Sequence, residues 1–175
     1  LSFQKDDVRL RVTGQCALAH GACSRVEPSS GWWEQRVGES KPIDTTKYFV
    51  ICIHSLGSCF GSTGPSSINP ETGEPYRLDF PVLTIEDIAR SGHEVVKSIG
   101  LDRLHAVVGA SMGGMTSIAY SILFPEFSES LVSISGTARA APFAISLRSL
   151  QREIIQSDPV WNGGNYDVKE EPVLG

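Results

Sequence analysis

The chain has 175 residues, 41% of them hydrophobic and 20% charged, with a net charge of −5. This composition is ordinary for a globular domain and gives no basic footprint for nucleic acid or an anionic membrane. The length suits one domain or part of one, and no apolar run approaches the length needed to cross a bilayer.

Residues 8–13 alternate apolar and polar side chains and read as a strand. Cys16, Cys23, Cys52 and Cys59 form no C-x-x-C pair and lack metal-type spacing with histidine, so neither zinc nor a disulfide framework is expected. Residues 48–53 are a short apolar run rich in β-formers, which predicts a strand buried on both faces. Residues 57–73 are dense in Gly, Ser, Pro and Asn and read as loop. Thr84, with Asp87 three residues on, is a helix start; Ile85, Ile88, Ala89, Val95, Val96 and Ile99 supply an apolar stripe. Gly100 is placed to close that helix. Further strands are predicted at 104–108 and 131–134, with helices at 112–124 and 142–157, the last ended by Asp158-Pro159. Such alternation predicts an α/β fold with a parallel, doubly wound sheet and ligands at the carboxyl ends of its strands.

The most informative stretch is Gly109-Ala110-Ser111-Met112-Gly113, between a predicted strand and a predicted helix. That context identifies G-x-S-x-G as a nucleophile elbow, a turn that lifts a serine Oγ above the sheet edge. The Met112 N–H, at the start of the helix, then faces the place where an oxyanion would form. The alternative is a Gly-rich turn with an idle serine. His20, His54, His93 and His105 all precede Ser111. In elbow hydrolases the acid and then the histidine follow the serine along the chain. The chain therefore reads as an internal piece of a longer enzyme, with its acid and base beyond Gly175; a non-catalytic relative is the alternative.

Several stretches together resemble one family. They are Gly31-Trp32-Trp33-Glu34, Ile43-Asp44-Thr45, Tyr48-Phe49-Val50-Ile51-Cys52, Leu56-Gly57-Ser58-Cys59, Gly61-Ser62-Thr63-Gly64-Pro65-Ser66-Ser67 and Asp79-Phe80-Pro81. The similarity continues through Val108-Gly109-Ala110-Ser111-Met112-Gly113-Gly114-Met115, Gln151-Arg152, Asp158-Pro159 and Trp161-Asn162-Gly163-Gly164. They are similar to homoserine O-acetyltransferases and their serine and homoserine O-succinyltransferase relatives. The resemblance implies an α/β-hydrolase core over residues 1–141, with a helical lid starting at 142–175. It implies no bound cofactor, with succinyl-CoA or acetyl-CoA as co-substrate and L-serine or L-homoserine as acceptor. A cytoplasmic homodimer acting on small molecules, without nucleic acid, membrane or metal, completes that expectation; a mitochondrial location is left open.

On this resemblance Ser111 attacks the thioester, and the amides of Met112 and Gln15 receive the oxyanion. Gly14, Gln15, Cys16 and Ala17 form the loop that distinguishes acceptors. Gln15 and Cys16 depart from the family, which has Leu followed by Thr or Ser there; a solvent-facing Gln15 is the alternative. Arg148, one helical turn from Arg152, matches the succinyl-using members, where a guanidinium pairs with the distal carboxylate of the donor. A plain helix-face cation is the alternative, and Phe60 argues for acetyl, because some succinyl-using members carry arginine there. A serine esterase with the same elbow is the second enzyme reading, since only the attacking group differs.

Overall fold

The computed structural model describes the backbone of residues 9–14, and residues 22, 30–167 and 169–174 in full. Two compact units divide the chain, Leu1–Thr63 with Val82–Ala138, and Gly64–Pro81 with Arg139–Gly175.

In the first unit, strands β1 (Arg9–Gly14), β4 (Phe49–Cys52), β5 (Leu104–Ala110) and β6 (Ser128–Ile134) form one sheet in the order β4-β1-β5-β6. Every pairing in it is parallel. The α/β sheet expected from the alternation is therefore present, and it is parallel throughout. A second, two-residue ladder joins β2 (Val37–Gly38) to β3 (Ile43–Asp44).

β5 explains why the core sits where it does. Apart from His105, which bonds Glu129 at 3.1 Å, its sequence Leu-His-Ala-Val-Val-Gly-Ala is apolar, as suits a strand flanked by two parallel neighbours. Leu104 and Val107 pack against Ala89 and Val96 of α1 (Ile85–Ser98) and Ala119 and Tyr120 of α2 (Met112–Leu123). Ala106 and Val108 pack on the opposite face with Val37, Ile43, Trp33 and Tyr48. Leu104 and Val107 are fully buried, and each such side chain contributes about 1.5–3 kcal/mol.

The ends of α1 are written in its sequence. Thr84 Oγ1 accepts the Asp87 N–H at 3.1 Å, while the Asp87 carboxylate accepts the Thr84 N–H at 2.9 Å, a complete capping box. Hydrogen bonds from the Thr84 backbone and side chain hold the Asp87 carboxyl below its ordinary value. At the other end Gly100 has φ 80°; its N–H reaches Lys97 O, and the Leu101 N–H reaches Val96 O. That double closure needs a left-handed residue, which glycine adopts without strain.

Two expectations are corrected here. Residues 48–53 were expected to be buried on both faces, but β4 is an edge strand, with Phe49 exposed and the rest half-buried. Composition reports hydrophobicity, whereas burial depends on which strands stand alongside. Val95 and Ile99 belong to the predicted apolar stripe of α1 yet are exposed. The buried face of α1 instead carries Ala89, Gly92, His93 and Val96.

In the second unit, α3 (Pro142–Ser157) matches the predicted helix and has no buried residue. A 3-10 segment, Pro159–Gly164, follows directly. Asp158 joins the two: it ends α3, and its buried carboxylate accepts the N–H groups of Val160, Val173 and Leu174 at 2.9, 2.8 and 3.1 Å. Those backbone donors, Val160 first, hold its carboxyl below the ordinary aspartate value. No described helix is long and apolar enough to cross a membrane.

Candidate active site at the end of the central strand

The parallel sheet carries β5 up to Ala110, and α2 begins at Met112, so one residue makes the whole turn. That residue is Ser111, with φ 54° and ψ −120°, a region that residues with a Cβ avoid. Its N–H donates to Ile134 O at the end of β6 (2.9 Å), and its C=O accepts the Met115 N–H (3.1 Å). The backbone is thus held from both sides. Ser111 is exposed and its side chain makes no capping bond to α2, so the hydroxyl is not spent on the helix end. Unsatisfied amides and the helix dipole make such a helix start attractive to negative charge.

Glycines let α2 lie this close to the sheet. A Cβ on Gly109 would overlap the Gly113 backbone and Ser117 Oγ. A Cβ on Gly114 would sit 2.8 Å from Ser133 Oγ and 3.0 Å from the Gly136 Cα. Hydroxyls fill the crowded space. Thr116 donates to Met112 O (3.0 Å), Ser117 to Gly113 O (2.8 Å) and Ser133 of β6 to Gly114 O (3.2 Å).

The remaining predicted site residues are distributed as follows. Gly14 ends β1 and is in register with Ala110, the residue before Ser111, so the predicted acceptor loop starts beside the elbow. Gln15, Cys16 and Ala17 lie outside the described residues. Arg148 is on α3 in the second unit, exposed, with its guanidinium donating to Gln151 Oε1 at 2.8 Å. Arg152 donates to Ser149 Oγ at 3.0 Å. His54 follows β4 and lines a cavity of about 670 Å³ with Ile51, Ile53, Phe60, Val95 and Ile99. Ser111 is not among the residues lining that cavity, so this cavity and the elbow are separate features among the described residues.

The sequence singled out Gly114 in the double glycine after Ser111, but not Ser133 and Gly136 as supports of the elbow; their only signal is smallness, in the Ser133-Ile134-Ser135-Gly136 run.

Comparison with known proteins agrees with this geometry. Residues 18–175 match the profile of the α/β hydrolase fold family. A serine O-succinyltransferase of Stenotrophomonas maltophilia is 56% identical over 175 residues, all of this chain and 47% of that protein. Among solved structures, a homoserine O-acetyltransferase from Bacillus anthracis superposes with a TM-score of 0.86 at 32% identity, over 98% of this chain and 48% of that one. Esterase E22 superposes with a TM-score of 0.82 at 32% identity, over 95% of this chain and 47% of that one. The chain spans about half the length of the curated relatives it matches. With a parallel sheet, a strained serine between its central strand and the next helix, and a family profile covering nearly its whole length, the chain belongs to the α/β-hydrolase fold family.

Proposed function

We propose that this chain carries the nucleophile of a CoA-dependent O-acyltransferase. Ser111 Oγ attacks the thioester carbonyl of an acyl-CoA while a general base takes its proton, since serine alone is a weak nucleophile. The oxyanion of the tetrahedral intermediate accepts the Met112 N–H and, from the loop after β1, the Gln15 N–H. The C–S bond then breaks and CoA leaves with the proton. The base takes the proton of the side-chain hydroxyl of L-serine or L-homoserine as it attacks the acyl-serine; the acyl–Oγ bond breaks, the proton returns to Ser111 Oγ, and the product ester departs. Two half-reactions through one acyl-serine require ping-pong kinetics.

The observation that carries this reading is Ser111 itself, strained and exposed at the carboxyl end of β5 with the start of α2 behind it. The relatives named serine O-succinyltransferase support a succinyl donor and a serine acceptor. The homoserine O-acetyltransferase structure supports the same chemistry with the other pair. In this reading Gly14 to Ala17 shape the acceptor site, Arg148 the donor site, and residues 142–175 begin a lid over a core of residues 1–141. The protein works on small molecules, as a homodimer in the cytoplasm.

Esterase E22 supports a second reading, in which water attacks the same acyl-serine. One assay separates the two. CoA release from succinyl-CoA should depend on added L-serine or L-homoserine, and Ser111→Ala should lower it at least about a thousandfold. Equal release with and without acceptor favours the esterase. Turnover that persists in Ser111→Ala removes Ser111 as the nucleophile.

A further inference from the structure

Ser133 stands on β6, away from the reacting atoms, yet its hydroxyl reaches into the elbow. Ser133 Oγ donates to Gly114 O at 3.2 Å. Gly114 O belongs to the same peptide group as the Met115 N–H, and that N–H donates to Ser111 O at 3.1 Å. Ser111 O in turn belongs to the same peptide group as the Met112 N–H, the donor assigned to the oxyanion. Hydrogen bonds linked through peptide groups polarise one another, because a carbonyl that accepts a bond makes its own N–H a stronger donor. We infer that Ser133 is a positioning residue for acyl transfer, polarising and fixing the Met112 amide through two intervening peptide groups.

Two further observations tie Ser133 to this task. The approach of its hydroxyl depends on glycine at two places. A Cβ on Gly114 would stand 2.8 Å from Ser133 Oγ, and one on Gly136 would overlap it. The same strand also holds the turn directly, because Ile134 O accepts the Ser111 N–H at 2.9 Å. β6 therefore grips the elbow at adjacent residues. One contact sets where Ser111 sits; the other feeds the amide chain that ends at Met112.

The inference rests on the acyl-serine reading, and the test keeps the two apart. Wild type, Ser133→Ala, Ser133→Thr and Ser111→Ala are compared in the full-length enzyme with succinyl-CoA and L-serine. Inhibition is measured with a trifluoromethyl ketone, whose carbonyl takes up a serine oxygen and becomes a tetrahedral oxyanion. Losing a whole oxyanion donor costs about 10²–10³ in rate, and each link of a relay passes on roughly 10–30%, so two links pass on about 1–9%. Ser133→Ala should therefore lower kcat by up to about twofold and raise the ketone Ki by the same factor, with KM for succinyl-CoA unchanged. Ser133→Thr keeps the hydroxyl that donates to Gly114 O, so it should restore both values.

A Ser133→Ala enzyme with wild-type kcat and Ki overturns the inference, provided Ser111→Ala is inactive. So does one whose KM rises while kcat holds, because a merely structural serine disturbs binding and not oxyanion affinity. Failure of Ser133→Thr to recover either value also counts against it. Turnover in Ser111→Ala overturns the acyl-serine reading instead, and the inference with it.

Discussion

Ser111 pays for its position in backbone strain, of order 1–3 kcal/mol for a residue held in such a region. Removing the hydroxyl and removing the Cβ should therefore have different consequences. Ser111→Gly should be more stable than Ser111→Ala by about 1 kcal/mol in urea denaturation, since glycine alone loses the strain. Equal stability would mean that the turn stores none. Arg148 supports a second prediction at this scale. A guanidinium that binds a distal carboxylate gives about a tenfold to hundredfold preference for the acid-bearing donor. Arg148→Asn should shift the succinyl-to-acetyl ratio of kcat/KM by that factor, while Arg152→Asn should not. An unchanged ratio leaves Arg148 as a surface cation bonded to Gln151. Ser111 was legible because the G-x-S-x-G spacing encodes a steric necessity, now visible as the contact of Gly109 with Gly113 and Ser117. Ser133 was not, because a serine among the polar residues of an edge strand looks solvent-facing until the glycines opposite it are known.

At the scale of elements, helix ends were legible and strand neighbours were not. The start of α1 at Thr84, its closure at Gly100 and the end of α3 before Asp158 all rest on local capping chemistry. The edge position of β4, the polar opening of β6 at Ser128 and the β2–β3 ladder depend on partners distant in sequence or on runs too short for periodicity. Asp158 belongs to both classes. It was read as a helix stop, while its bonds to Val173 and Leu174, some fifteen residues on, left no local trace. Its carboxyl is held low in the fold, so it binds a proton less readily there than in the unfolded chain. The stability it contributes is present above the ordinary aspartate value of 3.8 and is lost as pH falls through the lower folded value. In Asp158→Asn that part of the acid-side loss should vanish, seen as a flatter dependence of the unfolding midpoint on pH between about 5 and 2. A variant with the wild-type slope would show that the carboxylate contributes nothing to the clamp.

The whole molecule leaves apolar surface in the open. Leu131, Val132 and Ile134 of the edge strand β6 are 42%, 44% and 47% exposed, and Phe143 of α3 is 80% exposed. Exposed apolar patches bind hydrophobic dyes, and bare strand edges recruit other chains. The 175-residue polypeptide should therefore enhance the emission of anilinonaphthalene sulfonate and self-associate with concentration, and Val132→Lys should reduce the self-association. Dye emission at the level of free dye would contradict this. The order of the strands sets a clock as well. β1 is flanked by β4 and β5, and its register joins Leu10 to Ala106. A ribosome adding ~5–20 residues per second delivers β5 roughly 5–20 s after β1. For the first ~2–8 s of that interval β1 has no partner strand, and after that only β4, a two-stranded parallel pair with little stability of its own. A newborn chain of this topology is, for those seconds, exposed to whatever binds unpaired strands.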